Sequence, residues 1–178
     1  MPEKVLIGGD ELFNHPAVIK FYNKVMKDWN PNGKKIALLM GCTHHKPYSK
    51  SFIHRKVIGL LEKYNFSNYV QQLIIGEPLV VCPREWEIIY PAAHYDFPPK
   101  KLGMTGRAIF IHRLRSFLNK FVSNFKYFVI FAPNHHKRII LEAGEEILPQ
   151  DATFVVPYNL YKLPQLRSVI DTIIQEIL

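Results

Sequence analysis

The residues best suited to chemistry are gathered in Gly41-Cys42-Thr43-His44-His45-Lys46-Pro47-Tyr48-Ser49-Lys50-Ser51, followed by His54 and Arg55. Cys42 is a candidate nucleophile, because a cysteine near Lys46, His44 or a helix N-terminus can attack as the thiolate. A cysteine at a strand end can equally be a small buried hydrophobe, and the residue types leave that choice open. Lys46-Pro47-Tyr48 places a cation and a hydroxyl on either side of a rigid proline, poor material for a core and good material for a ligand contact. Gly41 lets the backbone come close to a ligand. Ser51 is placed to cap a helix whose N-terminus favours negative charge. His45 and Pro47 complete this first group.

A second group runs from Glu77-Pro78 through Pro83-Arg84-Glu85 to Tyr90 and His94-Tyr95-Asp96. His94 and Asp96 read either as an acid/base pair or as a grip on a substrate amine, and Arg84 with Glu85 as an ion pair fixing the loop. The third group is Pro133-Asn134-His135-His136-Lys137-Arg138, where Asn134 and His135 open a helix suited to phosphate contact. Adjacent histidines point apart and no HExxH-type spacing occurs, so no metal site and no cofactor is expected.

These groups need a frame. Four runs, 35–41, 70–76, 127–132 and 152–157, are almost continuously apolar and bounded by turn residues, as buried parallel strands are. Helical periodicity lies between them. Asn14 with Pro16 starts a helix burying Val18, Phe21, Val25 and Trp29; others span 51–64 and 107–125, and a last one follows Pro164. The expectation is an α/β fold: a three-layer α/β/α sandwich around a four-stranded parallel sheet. It forms a single α/β domain over 1–178, with a helical lead-in over 1–33 and the sheet with its covering helices over 34–178. Ligands in such folds bind beyond the carboxyl ends of the strands. Loops 42–50, 77–83, 133–136 and 157–163 are therefore marked, and 91–105 reads as a long ordered loop.

At 178 residues, 48% apolar, the chain can bury a core. No apolar run reaches the length of a membrane span, no signal peptide is evident at Met1, and two cysteines without a CxxC pair fit a reduced, cytoplasmic protein. Of the 23 basic residues behind the +8 net charge, fifteen fall in the acid-free windows 29–61 and 97–141. That clustering suits a polyanionic partner such as RNA or DNA as well as it suits a plain basic surface.

The pattern Cys42-x3-Lys46-Pro47-Tyr48-x2-Ser51-x2-His54 resembles the signature of the archaeosine synthases, archaeal tRNA-modifying enzymes related to tRNA-guanine transglycosylases. Val81-x-Pro83-Arg84-Glu85 and Tyr90-Pro91-Ala92-Ala93-His94-Tyr95-Asp96 resemble the same family in order and spacing, so that the likeness spans roughly 14–141. Three positions depart from the family: Gly41 stands where it has proline, Glu77 where it has a small hydroxyl residue, and Val80 where it has glycine. The resemblance implies a uracil-DNA-glycosylase-like fold and a tRNA substrate carrying 7-cyano-7-deazaguanine. It also implies free lysine as the co-substrate added to the nitrile, and partner proteins of the transglycosylase-like, RNA-binding or radical-enzyme kind. Cys42, Lys46, Tyr48, Ser51, His54, His94 and Asp96 become the catalytic set. Gly41, His45, Pro47, Glu77, Pro78, Pro83, Arg84, Glu85, Tyr90, Asn134 and His135 become the substrate contacts. Two other readings remain: a non-catalytic tRNA- or partner-binding module, and a glycosylase-like or hydrolytic enzyme acting on a modified nucleobase.

Overall fold

A computed structural model describes residues 3–178; Met1 and the reading attached to it lie outside them. The elements in chain order are β1 (Leu6–Ile7), α1 (Pro16–Asp28), β2 (Ile36–Gly41), α2 (Phe52–Lys63), β3 (Val70–Gly76), β4 (Val80–Pro83) and β5 (Tyr95–Asp96). There follow α3 (Met104–Phe121), β6 (Tyr127–Phe131), α4 (Asn134–Ala143), β7 (Thr153–Val155) and α5 (Leu163–Ile177). All four apolar runs form strands. The sheet they build has five strands, in the order β4-β3-β2-β6-β7, and only β4 is antiparallel. The expected four-stranded parallel sheet is thus extended at one edge. In sequence Val80–Pro83 reads as loop because it is four residues long and ends in proline, a residue tolerated in a sheet only at an edge.

Both faces of the sheet are covered, which is why its strands are apolar without alternation. On one face Ala37, Leu39, Leu73, Ile75, Phe128 and Ile130 pack with α1, α3 and α4. On the other, Ile36, Leu38, Met40, Val129 and Phe131 pack with α2 and α5. The α1 stripe is the expected one, with Val18, Phe21, Val25 and Trp29 all buried. Its cap is His15 rather than Asn14: the His15 Nδ1 accepts from Ala17 N–H at 3.1 Å, and Pro16 fills the first helical position.

The helical lead-in is also only partly helical. Leu6–Ile7 pairs in parallel with Tyr95–Asp96 as a separate two-stranded sheet. This pairing gives order to the long 91–105 segment and fixes Asp96. Asp10 helps from the same side, its carboxylate accepting the N–H of Gly103 and Gly106 at 2.9 Å each at the start of α3.

Candidate functional site

Three adjacent parallel strands end side by side, and each delivers one reactive side chain, one residue on for β2 and β3 and five residues on for β6. Cys42 follows β2, Glu77 follows β3, and His136 lies in the first turn of α4 after β6. The Glu77 Oε1 and the His136 Nε2 are 2.9 Å apart. The Cys42 Sγ lies 3.7 Å from that Oε1 and 3.8 Å from that Nε2. Glu77 and His136 are fully buried and Cys42 half-buried.

Two glycines make this approach possible. A Cβ at Gly41 would stand 2.7 Å from the His136 Nδ1 and 2.6 Å from the Pro133 Cδ, and a Cβ at Gly76 only 2.2 Å from the Cys42 Sγ. The residue at 41 that departs from the archaeosine synthase pattern is therefore the one that admits His136. Glu77, a second departure, is the carboxylate the histidine meets. Glu77 is presented by the tight turn into β4, where Val80 is held at φ 75°. A β-branched residue there costs about 1–2 kcal/mol, and the fully buried Val80 side chain holds the turn in place.

Electrostatics follow from the contacts. Burial alone would lower the His136 pKa, yet Cys42 and Glu77 outweigh it and raise it to about 10. Burial likewise opposes ionisation of Glu77, but the His136 hydrogen bond holds it below the usual carboxylate range. His136 is thus an imidazolium bound to a carboxylate. Its neighbour His135, with ring centroids 3.8 Å apart, is lowered by burial and then by the His136 charge.

Cys42 also forms one wall of a 220 Å³ cavity, together with His44, Lys46, Asp96, Phe97 and Pro98. The Lys46 ammonium sits 4.4 Å from the centre of the Tyr95 ring. Burial lowers its pKa, and Cys42 and Asp96 oppose that. One wall of this cavity can therefore bind a carboxylate and another an ammonium, beside a sulfur.

The rest of the motif turns inward. Tyr48 is buried with its hydroxyl 2.7 Å from that of Tyr95, and burial pushes both phenols well up. His54 donates from Nε2 to the Gly41 carbonyl at 2.9 Å, and its Nδ1 accepts from the Arg84 Nη2 at 2.8 Å. Burial first, and the Arg84 guanidinium second, lower its pKa to about 3, so it stays neutral. Ser51 occupies the position before α2 without a side-chain capping bond.

Arg84 pairs with Glu87 at 3.2 Å and bonds Gln72, not the expected Glu85. Glu85 instead accepts from Gln71 and the Trp29 indole. One turn of helix after Pro83 turns Arg84 toward α2 and Glu85 toward α1, so adjacency in sequence becomes separation in space. His94 and Asp96 also part: Asp96 lines the cavity, whereas His94 lies 3.7 Å from Glu3 and packs on Tyr90. Tyr90 donates to the Lys4 carbonyl. Pro83 is buried in β4, while His45 and Asn134 are exposed and Pro47 is half-buried.

The sequence places His136 in the third group but singles out its neighbours Asn134 and His135 instead. Its signal was present, because His136, Ile139, Ile140 and Ala143 occupy i, i+3, i+4 and i+7, the buried face of α4. The absence of HExxH-type spacing also concealed that the fold gathers Cys42, Glu77 and His136 into a single donor set.

Known proteins match both the chain and its fold. A family model described as a domain of unknown function, DUF5591, matches residues 18–167. Archaeosine synthase subunit alpha of Methanosarcina acetivorans is 38% identical over 93 residues, covering 52% of this chain and 15% of that protein. The subunit alpha of Thermoplasma acidophilum is 29% identical over 156 residues, 87% of this chain and 29% of that protein. Archaeosine synthase of Haloferax volcanii is 30% identical over 91 residues, 49% and 14%. The chain therefore spans less than a third of the length of each of these relatives. A crystal structure of AF0587, a protein of unknown function, shares the fold with a TM-score of 0.62 at 19% identity, over 84% of this chain and 49% of that one.

Proposed function

The chain belongs to the DUF5591 family, and on that premise we propose that it is the catalytic domain or subunit of an archaeosine-type tRNA modification. It adds the side-chain amine of free lysine to the nitrile of 7-cyano-7-deazaguanine in tRNA. The observation that carries this reading is the cationic His136 beside the Cys42 sulfur, at the wall of a cavity that also offers Lys46 and Asp96. The relatives named for archaeosine synthesis support the substrate class. A uracil-DNA-glycosylase-like ancestry of the fold and a cytoplasmic setting belong to the same reading.

The steps balance. The Cys42 thiolate attacks the nitrile carbon, the triple bond becomes a C=N, and its nitrogen takes the proton from the His136 Nε2. The product is a thioimidate. The lysine amine then adds to that carbon, the C–S bond breaks, sulfur leaves as thiolate, and the amine proton returns to His136. No atom is lost, so the base gains the mass of one intact lysine. Lys46 receives the carboxylate of the amino acid and Asp96 its α-ammonium, orienting the reacting amine. Tyr48, His54 and Arg84 act as positioning residues behind the loop.

The RNA itself lies along α2. An open 630 Å³ groove there is lined by Arg55, Lys56, Lys63, Phe52 and Tyr64, with no acid among its lining residues. Phe52 is half exposed, with the Lys56 ammonium 5.2 Å from its ring. A basic groove with an exposed aromatic suits unpaired RNA. It equally favours the second reading, in which the chain only binds tRNA for a partner enzyme.

The test is mass spectrometry of tRNA bearing the cyano base after incubation with lysine and this protein, with and without candidate partner subunits. A base heavier by one lysine is expected. Salt-sensitive binding without mass gain under every combination would overturn the catalytic reading and leave the binding one.

A further inference from the structure

We infer that Cys42, Glu77 and His136 form a three-donor site for a zinc-class transition-metal ion. Tetrahedral zinc has bonds of about 2.3 Å to sulfur and about 2.0 Å to nitrogen or oxygen, which place its donors roughly 3.5 Å apart when sulfur is one of the pair and roughly 3.3 Å otherwise. Here sulfur lies 3.7 Å from the carboxylate oxygen and 3.8 Å from the imidazole nitrogen, and those two are 2.9 Å apart. Shifts of a few tenths of an ångström convert the hydrogen-bonded cluster into a coordination set. Thiolate, imidazole and carboxylate together suit zinc, cobalt or iron and not magnesium or calcium, which require oxygen.

A second observation points the same way. The Glu77 Oε2 is buried with no hydrogen-bond partner, on a residue with no exposed surface. A buried carboxylate oxygen left unpaired is costly, and an ion that Glu77 holds through both of its oxygens relieves that cost. The glycines at 41 and 76 clear the space that the histidine and the cysteine occupy. Three donors come from three neighbouring strand ends, a rigid mounting, and the fourth position falls to water or a small ligand.

Binding here displaces the His136 proton and occupies the Cys42 sulfur, so a bound ion blocks the lysine addition proposed above; the site is tested without tRNA. The full chain, first treated with chelator, is titrated with Co²⁺ and followed by absorption. A thiolate-to-cobalt charge-transfer band saturating at one ion per chain and displaced by Zn²⁺ is expected. Cys42→Ser abolishes the band, Glu77→Gln weakens binding at least tenfold, and Cys82→Ser leaves both unchanged. Absence of the band in natively folded wild type, or its survival in Cys42→Ser, overturns the site. Lysine addition is assayed in the same chelator-treated sample, so that a missing metal and a missing reaction are read separately.

Discussion

Two buried histidines flank the end of β2, and one is neutral while the other is cationic. His54 touches the Gly41 carbonyl and the Arg84 guanidinium. His136 abuts Gly41 from the other side of the sheet and touches Glu77 and Cys42. Burial is nearly complete for both, so burial does not distinguish them. The partner does: a cation beside one ring drives it neutral, and an anion beside the other keeps it protonated. The neutral, fully bonded histidine has no proton to give at neutral pH and serves to hold the loop. The charged one faces the Cys42 sulfur at the cavity and is the acid of the proposed reaction.

That division can be broken by substitution. The largest effect is expected from Cys42→Ala, which lowers lysine addition by roughly three orders of magnitude or more if sulfur is the nucleophile; an unaffected rate would assign Cys42 to packing. His136→Asn is expected to cost roughly 10²–10⁴-fold in rate and to change the pH profile. His54→Asn should instead lower stability by about 2–3 kcal/mol while leaving the pH profile of the remaining activity in place. Equal changes in both profiles would erase the distinction.

Stability against pH separates the two more finely. Free histidine titrates near 6.5. With the His54 pKa pushed down to about 3, its contribution is complete above 6.5. The contribution falls between 6.5 and 3, where only the unfolded chain takes the proton. With the His136 pKa raised to about 10, its contribution is complete below 6.5 and is lost as pH rises toward 10. Each limb has a slope of at most about 1.4 kcal/mol per pH unit for one proton. Urea unfolding from pH 4 to 10 should give a dome whose acid limb flattens in His54→Asn and whose alkaline limb flattens in His136→Asn. The smallest stability effect belongs to Phe52, two residues before His54. Phe52→Ala should change stability within about 0.5 kcal/mol and weaken RNA binding by about 1–3 kcal/mol, as measured by fluorescence anisotropy.

The sequence made much of this legible, and unevenly so. The four parallel strands were readable because burial on both faces leaves continuous apolar runs. Val80–Pro83 was not, because its pairing depends on a turn with Val80 at positive φ, which no residue type there announces. The Cys42 to His54 pattern marks the loop between β2 and α2 but not the direction of its side chains. Helix α2 begins at Phe52, so His54 and Val57 face inward while Phe52 and Arg55 face out. Glu77 and His136 are 59 residues apart, and only the order of strands β3, β2 and β6 brings them together. Nothing local to either residue shows the other.

The most direct measurement of the central claim omits lysine. The protein is mixed with tRNA bearing the cyano base, and covalent protein–RNA species are sought under denaturing conditions, with the attachment mapped by mass spectrometry. The account expects a thioimidate adduct on Cys42 in the wild type and in His54→Asn, with little or none in His136→Asn and none in Cys42→Ala. Lysine addition that proceeds in Cys42→Ala at the wild-type rate, with no adduct in any variant, would contradict it.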